Sequence, residues 1–366
     1  MGSATLFHLA CRGASVIGLE QYSPFHSRGS SHGDSRIIRE TYFEHPLYVP
    51  LVRRAQELWR ELEEITGSSL MQIGGGLMIG PADGAVITGT LRSAREHNLP
   101  HEVLSPREIH RRFKPFRPEP DVVGVFDPRA GYLDPEACNG AHLSGATAHG
   151  ATVRFEEGAL DWTADSHGVR VQTGTAVYTA NKLVLAAGPW NARLAKDVDL
   201  PLALERQSVF WLDPPESEEY DADRFPIYAY EYKPGHICYG FPRLPRGVKA
   251  SVMHSGDLVK DPEDVTRTVE DGEVDPLRDA LRPVLPGLAS APVRERGTCI
   301  FTNTPDHDFI IDWHPFHSNV LLSSPCSGHG FKFASAIGEV QSDLLIDRRT
   351  QFDLTPFRLD RFGAAR

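Results

Sequence analysis

The chain has 366 residues, of which 40% are hydrophobic and 24% charged, with a formal net charge of -11 at pH 7. That length suits one large domain or two interleaved ones, and the composition is that of a globular protein rather than a disordered or fibrous one. The acidic balance argues against nucleic acid or an anionic membrane surface as the main partner and leaves a small molecule.

Five cysteines, Cys11, Cys138, Cys238, Cys299 and Cys326, are odd in number, widely spaced and free of CxxC patterns, which predicts a reducing, cytoplasmic setting. None of the 16 histidines stands in an HExxH-like array, so no metal is expected. No run of about 18 apolar residues is present to cross a bilayer, and the start lacks the basic and apolar segments of a signal peptide.

In chain order, Gly2 to Arg12 reads as an amphipathic helix, Gly13 ends it, and Ser15 to Leu19 is a short strand closed by Glu20. This is the second half of a dinucleotide-binding βαβ unit. Gly2 takes the place of the last glycine of GxGxxG, and Glu20 that of the acid that accepts hydrogen bonds from the ribose hydroxyls. The strand and glycines that would precede Gly2 are missing. Either the natural protein starts further upstream, the preferred explanation, or the chain is shortened and its cofactor binding impaired.

The run Ser30 to Arg39 packs His32, Arg36 and Arg39 into a glycine-flexed loop. Arg36 and Arg39 share a face if the loop turns helically, so that one can approach a cofactor ring and the other fork onto a carboxylate. Leu47, Leu51, Ala55, Leu58, Leu62 and Ile65 predict a helix from His45 to Thr66 ending at Gly67. A glycine-bent strand follows over Leu70 to Gly80, then a helix over Ala82 to His97 and a capped short helix from Ser105.

Short strands are expected at Ala151–Phe155, Gly168–Gln172 and Thr175–Tyr178, and then at Leu183–Ala187, which opens onto Gly188. The stretch from Pro201 to Cys299 reads as a mixed sheet. Asn319 to Ser323 forms a last strand, leading through the Ser327 to Gly330 turn into a helix with Ile337, Val340 and Leu344. That turn offers backbone N–H groups to a phosphate or an electron-rich ring edge, with Lys332 adding a cation. A lone cysteine such as Cys299 reads from composition as core packing.

Taken together, Ser31–Arg39, Tyr239–Pro242, Arg296–Cys299, Asp308–Asp312 and Ser327–Lys332 resemble the monomeric sarcosine oxidase family, with N-methyltryptophan oxidase and pipecolate oxidase, within the D-amino-acid oxidase superfamily. The resemblance covers nearly the whole chain. It implies an α/β fold: a Rossmann-like FAD-binding domain without its first strand (1–45, 138–200, 299–366), interleaved with a mixed-sheet α+β substrate domain (46–137, 201–298). It further implies a monomer that oxidises a secondary amino acid and reduces O2 to H2O2. Cys299 then carries FAD covalently, and His32 and Arg36 pack against the flavin. Arg39 and Lys332 hold the substrate carboxylate, Tyr239 lines the pocket and Lys249 activates oxygen. Gly2, Glu20, Gly188, Gly328 and Gly330 complete the cofactor contacts.

Three positions depart from the family pattern. Ser31 stands for a histidine, Phe301 for a tyrosine, and Met253 for an active-site histidine, with His254, one place on, the candidate to replace it. Two other readings stay open: a D-amino-acid oxidase-like or dehydrogenase activity without the cysteine link, and a shortened, non-catalytic binding module.

Overall fold

The computed structural model describes residues 1–195, 197–215 and 217–363. Its first helix, Gly2–Cys11, lies against the helices Pro135–Ala148 and Ala334–Asp347. Small residues permit this close approach. A Cβ at Gly145 would stand 2.7 Å from the Phe7 ring, and one at Gly338 only 2.6 Å from the Ala4 backbone.

Beside these helices the strands run in two separate groups. Ile17–Leu19 pairs in parallel with Thr152–Arg154. Leu183–Leu185 pairs in parallel with Val320–Ser324, which also takes Ile310–Trp313 in antiparallel register. Among the described residues Ile17–Leu19 and Leu183–Leu185 each keep one edge without a strand partner, and both border the central cavity. These two groups of strands are not joined into one sheet among the described residues.

The second layer is a nine-stranded mixed sheet. Its spine is Ala203–Leu212, paired along its length with Val293–Asn303 and at one end with Gly247–Val252. Beyond lie His236–Leu244, Ile227–Lys233, Gly76–Pro81, Val122–Asp127 and Glu102–Leu104. The expected boundaries at 138 and 299 fall inside the helix Pro135–Ala148, which packs on the first helix, and the strand Val293–Asn303, which belongs to the large sheet.

The helix predicted from His45 starts as a 3-10 turn, Pro46–Tyr48, because the His45 imidazole accepts the Leu47 N–H. It continues as Val49–Thr66, buries Leu51, Ala55, Leu58, Trp59 and Leu62, and stops at Gly67 in the left-handed region (φ 66°). The short helix Pro106–Arg112 has the expected capping box between Ser105 and Glu108. No described helix is long and apolar enough to cross a membrane.

Candidate active site

A cavity of about 1440 Å³ lies between the two layers, and the loop 29–39 runs along its wall. At the nucleotide end the first helix presents its N-terminus through Gly2, the arrangement that favours a phosphate. Gly188, at φ 55°, starts the turn Gly188–Trp190 at the same end, where a Cβ on Gly2 would lie 3.9 Å from Ala186. Glu20 reaches the same end, its carboxylate accepting the Tyr22 N–H at 2.9 Å and lying 3.5 Å from His26.

The middle of the cavity gathers Cys299, Arg36, His32 and Lys249. Arg36 donates to the Ser35 and Ser30 carbonyls at 2.7 and 2.6 Å, which leaves its guanidinium 3.9 Å from the Cys299 sulfur. His32 Nε2 is buried without a partner. Burial and the nearby cations Arg36 and Lys249 drive its imidazole down to about 3, so the ring is neutral. Lys249, only 3% exposed, donates to the Gly33 and Ser35 carbonyls at 2.5 and 3.1 Å.

At the far end Arg39 and Lys332 flank one aromatic ring. The Arg39 guanidinium lies 4.3 Å and the Lys332 ammonium 5.2 Å from the Tyr42 centroid. Both are buried. Burial, aided by Arg39, lowers Lys332 to about 7. Arg39 already holds a carboxylate, that of Glu44 at 2.5 Å. Burial pushes the Glu44 carboxyl up, but Arg39, His329 and Lys332 outweigh it and keep the group below its usual range. Tyr239 and Met253 also face this cavity, and burial raises the Tyr239 phenol to about 12.

The turn ahead of Lys332 depends on glycine. Gly328 sits at φ 75° and a Cβ there would meet Phe301 at 2.8 Å; at Gly330 it would fall 1.8 Å from the Pro325 carbonyl oxygen.

One expected catalytic residue is not in the cavity. The strand Gly247–Val252 ends before His254, whose left-handed backbone (φ 52°) turns its ring away. There it bonds the buried Glu205 at 3.2 Å and packs on Phe301 and His307. Met253 alone of the two lines the wall. Sequence reasoning missed Glu44, whose only signal was its spacing of five residues from Arg39, and Glu136, which grips the loop at Gly33. Away from the cavity, Asp197, His314 and His317 bring ligand-type atoms within 4.8 Å of one another. His314 Nδ1 accepts the Phe316 N–H at 3.3 Å and its Nε2 faces Asp197. That tautomer is the reverse of the one a metal-bound imidazole adopts.

Residues 1–344 match the family model DAO, FAD dependent oxidoreductase. The chain is 40% identical over 370 residues to a monomeric sarcosine oxidase of Streptomyces avermitilis, covering all of this chain and 96% of that one. It is 34% identical over 367 residues to an N-methyl-L-tryptophan oxidase of Salmonella arizonae, covering 99% and 96%. Among solved structures, NikD, described as an unusual amino acid oxidase essential for nikkomycin biosynthesis, superposes with a TM-score of 0.83 at 25% identity, covering 97% and 94%.

The walls fit FAD. Besides His32 Nε2, the buried hydroxyls of Ser35 and Thr302 on the cavity wall have no protein partner, so the cavity has polar groups to satisfy. Gly2 and Gly188 leave the nucleotide end open to backbone approach, with no atom inside 3.9 Å of a Cβ at either. From this fold, this cavity and these relatives, the chain belongs to the DAO family of FAD-dependent oxidoreductases.

Proposed function

We propose that this FAD-dependent amine oxidase acts on secondary amino acids, N-methylated or cyclic, with FAD attached through Cys299. The reading is carried by the Glu44 carboxylate bound on Arg39 beside Lys332, which marks that end of the cavity as a carboxylate site. The names of the relatives, a sarcosine oxidase and an N-methyltryptophan oxidase, point to the same substrate class.

The chain's own residues orient the substrate. Arg39 and Lys332 take its carboxylate, while Met253, Phe301 and Tyr239 supply a largely apolar wall for the rest. FAD, when bound, accepts a hydride equivalent from the carbon beside nitrogen and delivers two electrons to O2. The amine loses two electrons and two protons to become an imine, O2 gains both pairs to become H2O2, and water hydrolyses the imine. The half-buried Arg36 and the buried Lys249 bring N–H donors to mid-cavity, where they stabilise negative charge that develops there. Cys299, 7% exposed and facing the cavity, is the nucleophile available for a thioether. Its four fellow cysteines are also unpaired, in keeping with a cytoplasmic setting. We take the working unit to be a monomer, as the name of the relatives suggests.

A peroxide-coupled screen of sarcosine, other N-methyl amino acids, proline and pipecolate tests the reading. Peroxide from at least one of them is expected. Peroxide from none, with FAD bound, contradicts it.

A further inference from the structure

We propose that Asp34 is a positioning residue for Lys249, holding a strained turn that serves as the socket for its ammonium group. The proposal rests on the proposed function and on the oxygen-activating role that the family resemblance implies for Lys249.

The Ser35 N–H donates to the Gly33 carbonyl at 2.8 Å, closing a three-residue turn around Asp34, whose φ is 67°. A γ-turn with positive φ at a non-glycine centre is rare and strained, and persists only where its surroundings enforce it. The turn's two outer carbonyls, Gly33 and Ser35, are the acceptors of Lys249. An ammonium has three N–H donors, so one remains for the cavity that Lys249 lines. Gly33 itself sits at φ 92°, a backbone conformation that side-chain-bearing residues rarely adopt.

The enforcement comes from both layers. On the large sheet, Trp211 stands opposite Lys249 on one neighbouring strand and opposite Glu295 on another. Its indole N–H donates to Asp34 Oδ2 at 3.1 Å. Arg246 lies 3.7 Å over the same indole, donates to Asp34 Oδ1 at 3.2 Å, and is itself held by Glu295. From the other layer, Glu136 accepts the Gly33 and Asp34 N–H groups at 2.5 and 3.3 Å. Neither carboxylate is a hydrogen-bond partner of Lys249. Both act on it through the turn, and their charge partly offsets the burial and the Arg36 cation that disfavour its protonated form.

The test uses holoenzyme and separates the two half-reactions. In Asp34→Ala, reaction of the reduced enzyme with O2 is expected to slow roughly tenfold or more while reduction by the amine changes by less than about twofold. Asp34→Asn, which keeps an acceptor, should recover part of the loss. In an Asp34→Ala/Lys249→Met double variant the rate should equal that of Lys249→Met alone. A crystal structure of Asp34→Ala should show Lys249 detached from at least one of the two carbonyls. If Asp34→Ala does not fold, Arg246→Met loosens the same carboxylate from outside and should give the same pattern in weaker form. Unchanged Lys249 contacts in the variant structure, or equal slowing of both half-reactions, overturns the proposal. A Lys249→Met enzyme that meets O2 at the normal rate would instead refute the oxygen role of Lys249, and the variant structure would then judge the socket alone.

Discussion

At 2.5 Å from Arg39, the Glu44 carboxylate occupies the cation to which the proposed function assigns the substrate carboxylate. Glu44→Gln removes that competitor, so a simple carboxylate without an amine, such as propionate, should bind the holoenzyme about tenfold more tightly, roughly 1.4 kcal/mol. Unchanged affinity would show that Arg39 is not the docking cation. Lys332 gives the same end a pH dependence. Its folded value, lowered by burial and by Arg39 to about 7, means that it is charged below that pH and neutral above. Propionate affinity should therefore fall as pH rises from about 6 to about 8, and the fall should vanish in Lys332→Met. Titration of propionate binding checks both. At this scale the sequence was informative where residues cluster in one stretch, as His32, Arg36 and Arg39 do. It was silent where a partner arrives from elsewhere, as Glu136 does at Gly33. His254 was misplaced because its role rested on position in a strand that stops at Val252.

The elements that the sequence foretold are those whose burial is one-sided. Val49–Thr66 buries one face at helical spacing and ends on a left-handed glycine. Two of the elements that escaped notice did so for opposite reasons. Pro135–Ala148 carries Gly140 and Gly145 and has little amphipathic contrast, since it packs by letting Phe7 into the space beside Gly145. Ala159–Asp165 leaves Leu160 67% exposed, so its alternation does not mark an inward face. The Gly328–Gly330 turn makes a sharper prediction. Because a Cβ at Gly330 would stand 1.8 Å from the Pro325 carbonyl oxygen, the turn in front of Lys332 must open in Gly330→Ala. A cost of about 2 kcal/mol or more is expected, a drop in Tm of roughly 3 °C or more in thermal unfolding, together with weaker propionate binding. A variant with unchanged Tm and binding would mean that the turn yields without disturbing Lys332.

Over the whole molecule, the two-layer architecture was legible from the alternation of βα pattern and strand-rich stretch. The course of the central cavity was not legible, because it depends on how the large sheet and the loop 29–39 come together along its wall. The cavity's contents make a prediction about the assembled holoenzyme. Flavin colour should stay with acid-precipitated protein and move to the supernatant in Cys299→Ser; colour lost from both would show that Cys299 is not the attachment point. The most direct test of the amine-oxidase account is to mix holoenzyme anaerobically with N-methyl amino acids and proline while recording the visible flavin absorbance. The account predicts that at least one of them bleaches the band and that admitting O2 restores it with release of H2O2. An absorbance that none of these amines alters would contradict it.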